Sequence, residues 1–129
     1  MTKFLSIKQV LVIHSNLITQ FGGSKGIRSM NSLESALYRM MASFDGYDLY
    51  KSIFEKAAAL FESILKNHPF VDGNKRTAFL SSAIFLEINA YKTKFDNKET
   101  EKFILEIIGN TKTFKDIVLF FSKNSKKTF

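Results

Sequence analysis

Between Asn74 and Asn89 the apolar residues Ala78, Phe79, Leu80, Ala83, Ile84, Phe85, Leu86 and Ile88 fall on nearly every side of a helical projection. A helix that is apolar all round cannot lie against water, so other elements must enclose it. The remaining apolar segments carry helical spacing, and no long run alternates apolar with polar residues. One proline in 129 residues also favours helices over strands. The expected architecture is therefore an all-α fold, a single compact bundle of about six helices in one domain over residues 1–129.

Helix starts are legible where Ser, Asn or Asp precedes Gln or Glu by three residues, so that side chain and backbone can cap one another. Ser6 and Gln9 open a first helix, which Gly22-Gly23 ends. Asn31 and Glu34 open a second, running to about Met41. Phe44–Tyr47 reads as a loop with Asp45-Gly46 at its turn. A third helix is expected from about Leu49 to Asn67, with Ile53, Ala57, Leu60, Phe61, Ile64 and Leu65 on one side. Pro69 disfavours helical geometry at His68 and stops it there. The all-round apolar helix starts just after Asp72-Gly73. Asp96 with Glu99 opens a fifth, and a sixth covers about Thr113–Ser122. The basic tail Lys123–Phe129 is expected to fray.

Composition narrows the class. Fourteen Phe can fill the core of so short a chain. The absence of cysteine excludes disulfides and thiolate metal sites and suits a reducing compartment. No apolar run approaches the roughly 20 residues of a membrane span, and Met1–Gln20 lacks a signal-peptide pattern. The expected location is cytoplasmic. A formal net charge of +7 suits solubility first and an acidic protein partner second. Lys and Arg do not interleave with aromatics in an RNA-binding pattern, so no direct nucleic-acid partner is expected.

The nine residues His68-Pro69-Phe70-Val71-Asp72-Gly73-Asn74-Lys75-Arg76 join two apolar helices and are the most polar point between them. A histidine at a loop mouth can accept a proton at neutral pH, or merely hydrogen-bond the loop. Asp72 suits a helix N-cap, a ligand for Mg²⁺, or both, with one oxygen for each. Gly73, Asn74 and Lys75 bring unpartnered backbone N–H groups at a helix start, where the dipole favours an anion. Gly73 also lets a phosphate approach the backbone. Lys75 and Arg76 are either solvated or grip phosphate, and cations are disfavoured at a helix N-terminus unless an anion is present. Each signal is weak singly. Together a base, a metal ligand, an anion nest and two cations describe a site for moving a phosphate-containing group.

This stretch resembles the signature H-x-F-x-D/E-G-N-x-R of the Fic/Doc family. The resemblance continues through Thr77-Ala78-Phe79-Leu80 and onward to Tyr91. Upstream it takes in Phe21-Gly22-Gly23, Gly26-Ile27-Arg28, Leu33–Leu37 and Glu55–Ala59. It implies a general base at His68, a core anchor at Phe70, Mg²⁺ at Asp72, an anion nest over Gly73–Lys75 shaped by Asn74, and phosphate contact at Arg76. Fic proteins usually carry Gly after the Asn and a second Arg three residues beyond the first, where this chain has Lys75 and Phe79. That departure resembles the Doc, or death-on-curing, branch, in which the nucleotide binds in the opposite sense. The implied activity is that of a toxin phosphorylating a hydroxyl of elongation factor Tu with ATP and so blocking translation. AMP transfer is the alternative, and a catalytically silent binding module is another. No Glu here is followed by Gly or Asn, as a self-inhibitory family helix would require. The resemblance therefore implies inhibition by an antitoxin with a disordered, often acidic segment.

Two further features stand outside the motif. His14, spaced four residues from Val10 and from Ile18, reads as a packed or surface histidine rather than a catalytic one. Gly22–Arg28 is either a plain connection or a flap that guides the target segment.

Overall fold

The computed structural model describes residues 1–128. Its helices are α1 (Ile7–Phe21), α2 (Met30–Met40), α3 (Ile53–Asn67), α4 (Asn74–Ile88), α5 (Asn97–Ile108) and α6 (Phe114–Lys123). Two small antiparallel pairs accompany them, β1 (Ser43–Phe44) with β2 (Tyr47–Asp48) and β3 (Tyr91–Thr93) with β4 (Ser125–Lys127). The all-α bundle is thus as expected, with α3 and α4 at its centre. α3 packs on α2, α4 and α6, and α4 on α1, α3 and β3. Ala57, Ala58 and Ala59 are fully buried, which brings the α3 backbone close to its neighbours. Phenylalanines fill the other side of the core, where Phe61 meets Phe121 edge-on and Phe103 stacks on Phe120 at 4.2 Å between ring centroids.

Helix starts follow the capping chemistry. Ser6 and Gln9 form a reciprocal capping box on α1, and Asp96 caps α5 through the Glu99 N–H. Ser52 and Glu55 form another box on α3, so that helix begins at Ile53 rather than near Leu49. The second helix starts earlier than Asn31, because the Ser29 hydroxyl accepts the Ser32 N–H and caps it. Phe44–Tyr47 is the tip of the β1–β2 hairpin rather than a plain loop. The nearby Lys56 ammonium on α3, almost fully buried, donates to the Asp48 carboxylate at 3.1 Å and to the Tyr50 carbonyl, which ties this region down. The tail does not fray over Ser125–Lys127, which pairs in register with Thr93–Tyr91. Phe129 lies outside the described residues.

Candidate active site

The segment from His68 to Arg76 leaves α3 and enters α4 through two left-handed residues. His68, the C-cap of α3, has φ 49° and ψ 59°, and its N–H reaches the Ile64 carbonyl. Gly73, the N-cap of α4, has φ 77°. Pro69 forces the chain out of the helix, and the left-handed turn at His68 leaves its side chain exposed while Pro69 and Phe70 enter the core. A Cβ on Gly73 would stand 3.1 Å from Ile18 Cδ1, so conformation and crowding both favour glycine there.

Three sets of contacts fix the segment. Asn74 is buried, and its Oδ1 accepts the Phe70 N–H at 3.0 Å while its Nδ2 donates to the Phe70 carbonyl at 2.9 Å. The loop is thereby pinned from inside, and the Asn74 side chain faces inward. Phe70 stacks face to face on the buried His14 ring, with centroids 3.8 Å apart. From outside, Gly22–Arg28 runs alongside the segment. Ile27 bridges Phe70, the Val71 N–H donates to the Gly26 carbonyl, and the Arg28 and Ser29 N–H groups both donate to the Pro69 carbonyl. The Arg28 guanidinium also donates to the Asn67 and His68 carbonyls, capping the end of α3 beside the catalytic candidate.

Asp72 does not cap α4 with its side chain, contrary to one expected role. Its Oδ1 accepts the N–H of the adjacent Gly73 at 2.9 Å, and its Oδ2 accepts the Ser24 N–H at 3.1 Å. These two bonds, Ser24 first, hold its carboxyl below the usual aspartate range, with smaller help from His14 and Arg76. Gly23 makes the approach possible, since a Cβ there would stand 2.7 Å from Asp72 Oδ2. Asp72 therefore presents an ionised carboxylate next to an α4 N-terminus that no side chain caps and whose first turn holds no acidic residue.

His68, Asp72, Gly73, Asn74, Lys75 and Arg76 all line one cavity of about 630 Å³, continued by Phe79 and by Thr100 and Ile104 of α5. The sequence-derived site residues are thus brought together. Arg76 lies over the Phe21 ring, its Cζ 4.4 Å from the centroid. Phe79, half-buried, packs edge-on against Phe95. Free N–H groups, two adjacent cations and a glycine without a side chain suit phosphate oxygens. For a metal, Asp72 is the carboxylate of the segment, and Glu101 of α5 lines the same cavity. Among the described residues no three His, Cys, Asp or Glu gather as a metal cage. A single carboxylate with phosphate oxygens and waters is a donor set that Mg²⁺ accepts.

Three contributors escaped the sequence reading. His14, Ser24 and Arg28 reach the segment from 58, 48 and 40 residues away. The Gly-rich character of Gly22–Arg28 hinted at two of them, and the resemblance at Gly26-Ile27-Arg28 included one.

The helical fold and this loop together define a family. The model of the Fic/DOC family matches residues 4–86, and the chain belongs to that family. It is 38% identical to Toxin Doc of Mycolicibacterium smegmatis (strain ATCC 700084 / mc(2)155) over 109 residues, 83% of this chain and 82% of that protein. It is 29% identical over 97 residues to Protein kinase doc of Escherichia phage P1, covering 75% of each. Among the described residues no helix is long and apolar enough to cross a membrane.

Proposed function

We propose that the protein is the toxin of a toxin–antitoxin system, acting in the cytoplasm as a kinase that transfers the terminal phosphate of ATP to a Ser or Thr hydroxyl of a translation factor, elongation factor Tu, and so blocks translation. The observation that carries this is the uncapped start of α4. Its free N–H groups, Lys75 and Arg76 open onto the same cavity as His68. The relatives named as a toxin and as a protein kinase support the direction of the reading.

The chemistry divides among the residues as follows. His68 accepts the proton of the target hydroxyl while that oxygen forms its bond to the terminal phosphorus. The bond from that phosphorus to the bridging oxygen breaks, and ADP leaves with the electron pair. The Asn74 and Lys75 backbone N–H groups and Arg76 stabilise charge on the phosphate oxygens, which the bare Gly73 lets approach while its own N–H is held by Asp72, and Lys75 adds a mobile cation beside them. Asp72 would hold Mg²⁺, which supplies further neutralisation when bound. Phe79, where a second phosphate-binding Arg stands in Fic proteins, offers the nucleotide no charge. That favours phosphate over AMP transfer.

A second protein is expected to switch the toxin off, an antitoxin whose disordered and acidic segment suits the +7 charge. The test uses ATP labelled on the terminal phosphate, with Mg²⁺ and elongation factor Tu. Label on the factor supports the kinase reading. Transfer from ATP labelled on the α-phosphate selects AMP transfer instead. If neither label moves and His68→Ala is as toxic to cells as the wild type, the protein is a binding module.

A further inference from the structure

We propose that His14 is a positioning residue for the phosphate site, acting through the Asp72–Gly73 peptide. The ring is buried at 6% exposure, in the middle of α1, far from the motif in sequence. Its Nε2 lies 2.8 Å from the Asp72 backbone oxygen. A carbonyl only accepts, so the imidazole carries its hydrogen on Nε2 and donates. The stack on Phe70 sets the plane of the ring, with the two planes 7° apart. His14 Cδ2 and Nε2 also stand 3.6 Å from where a Cβ of Gly73 would be, so the ring forms the floor beneath that glycine.

The consequence follows from peptide geometry. The Asp72–Gly73 bond is planar and trans, so its C=O and N–H point in opposite directions. Holding the carbonyl down on His14 turns the Gly73 N–H up, and that N–H is the donor to Asp72 Oδ1. One imidazole thereby aims, through the Gly73 N–H, the carboxylate proposed for the metal, and fixes the peptide from which the free amides of Asn74 and Lys75 follow. Gly73, free to adopt φ 77°, lets α4 begin directly from that fixed peptide. Nothing in the proton transfer at His68 requires His14, so its role is orientation.

The functional consequence rests on the nucleotide-transfer reading, whereas the structural part does not. Two variants separate orientation from packing. His14→Phe keeps a flat ring for Phe70 and removes the donor. His14→Gln keeps an Nε2 donor and loses the stack. Positioning predicts that His14→Phe weakens Mg²⁺–ATP affinity on the order of tenfold by calorimetry, the effect of about 1.4 kcal/mol. It also predicts faster hydrogen exchange at the Gly73 amide in His14→Phe, with a melting temperature near wild type. His14→Gln should fall closer to wild type than His14→Phe in both affinity and Gly73 exchange, even if it melts lower. The reverse order, Phe at wild-type values and Gln impaired, would show that His14 only packs and would overturn the proposal. If the wild type itself binds no ATP, the kinase reading fails, and Gly73 exchange in the two variants alone decides the role of His14. Should His14→Phe not fold, wild-type Gly73 protection in His14→Gln supports the proposal and its loss opposes it.

Discussion

Replacing Asn74 with Ala removes one side chain and orphans two buried backbone groups. The Phe70 N–H and C=O both depend on Asn74, at 3.0 and 2.9 Å, in a site where Asn74 is only 9% exposed. A buried polar group left without its partner costs about 1–3 kcal/mol. Two such groups, with some relief from water entering the space, give a loss of about 3 kcal/mol. In a domain of this size that lowers the melting temperature by roughly 10–15 °C. Urea titration with a thermal melt measures both quantities. Lys75→Ala, one residue along and exposed, is the control and should stay within about 0.5 kcal/mol of wild type. An Asn74→Ala protein that melts within about 2 °C of wild type would show that these bonds do not hold the loop, and the reasoning from buried polar satisfaction would be wrong here.

Three further outcomes are expected. His68→Ala should fold as wild type does, since its side chain is exposed, and should lose about 10²- to 10⁴-fold in transfer rate, measured with labelled ATP; near-normal transfer would remove it as the base. Asp72 has a depressed folded pKa, so the stability its bonds confer is present above the ordinary 3.8 and is lost as pH falls through the lower folded value. The stability difference between wild type and Asp72→Asn should stay flat from pH 7 to 5 in parallel melts, and a difference that closes within that interval contradicts the bonding seen. Arg28→Ala frees the Asn67 and His68 carbonyls and should slow transfer more than it lowers stability, with Arg28→Lys a poor rescue because lysine lacks the rigid planar fork whose Nε and Nη2 reach the two carbonyls together; full rescue by Lys would argue that charge alone matters.

The fold was legible where physics is local. The all-round apolar Ala78–Ile88 stretch had to be central, and the capping pairs Ser6/Gln9 and Asp96/Glu99 sit where their side chains meet the backbone. The hairpins were not legible, because strands of two or three residues are too short for alternation to show. Pairing of Ser125–Lys127 with Tyr91–Thr93 joins segments more than thirty residues apart, which no local pattern announces. The site divides likewise. His68, Asp72, Gly73, Lys75 and Arg76 stand together in sequence and line one cavity. Asp72 read as a cap, a metal ligand or both, the cap because an Asp before Gly-Asn suits one. Its carboxylate instead binds Ser24, whose approach depends on Gly23 lacking a side chain. His14 read as a packed or surface histidine, and it is packed. Its bond to Asp72 arises only from how α1 lies against α4.

On the proposed function, the start of α4 is a cradle for nucleotide phosphates with His68 beside it. Titrating the ¹⁵N-labelled protein with Mg²⁺–ATP and following every amide resonance tests this most directly. The largest shifts should fall on Gly73, Asn74, Lys75 and Arg76, with His68 moving alongside, and Asp72→Ala should abolish the Mg²⁺-dependent part while leaving the spectrum folded. Saturable shifts confined to another surface, or none at all at millimolar ATP, would contradict it.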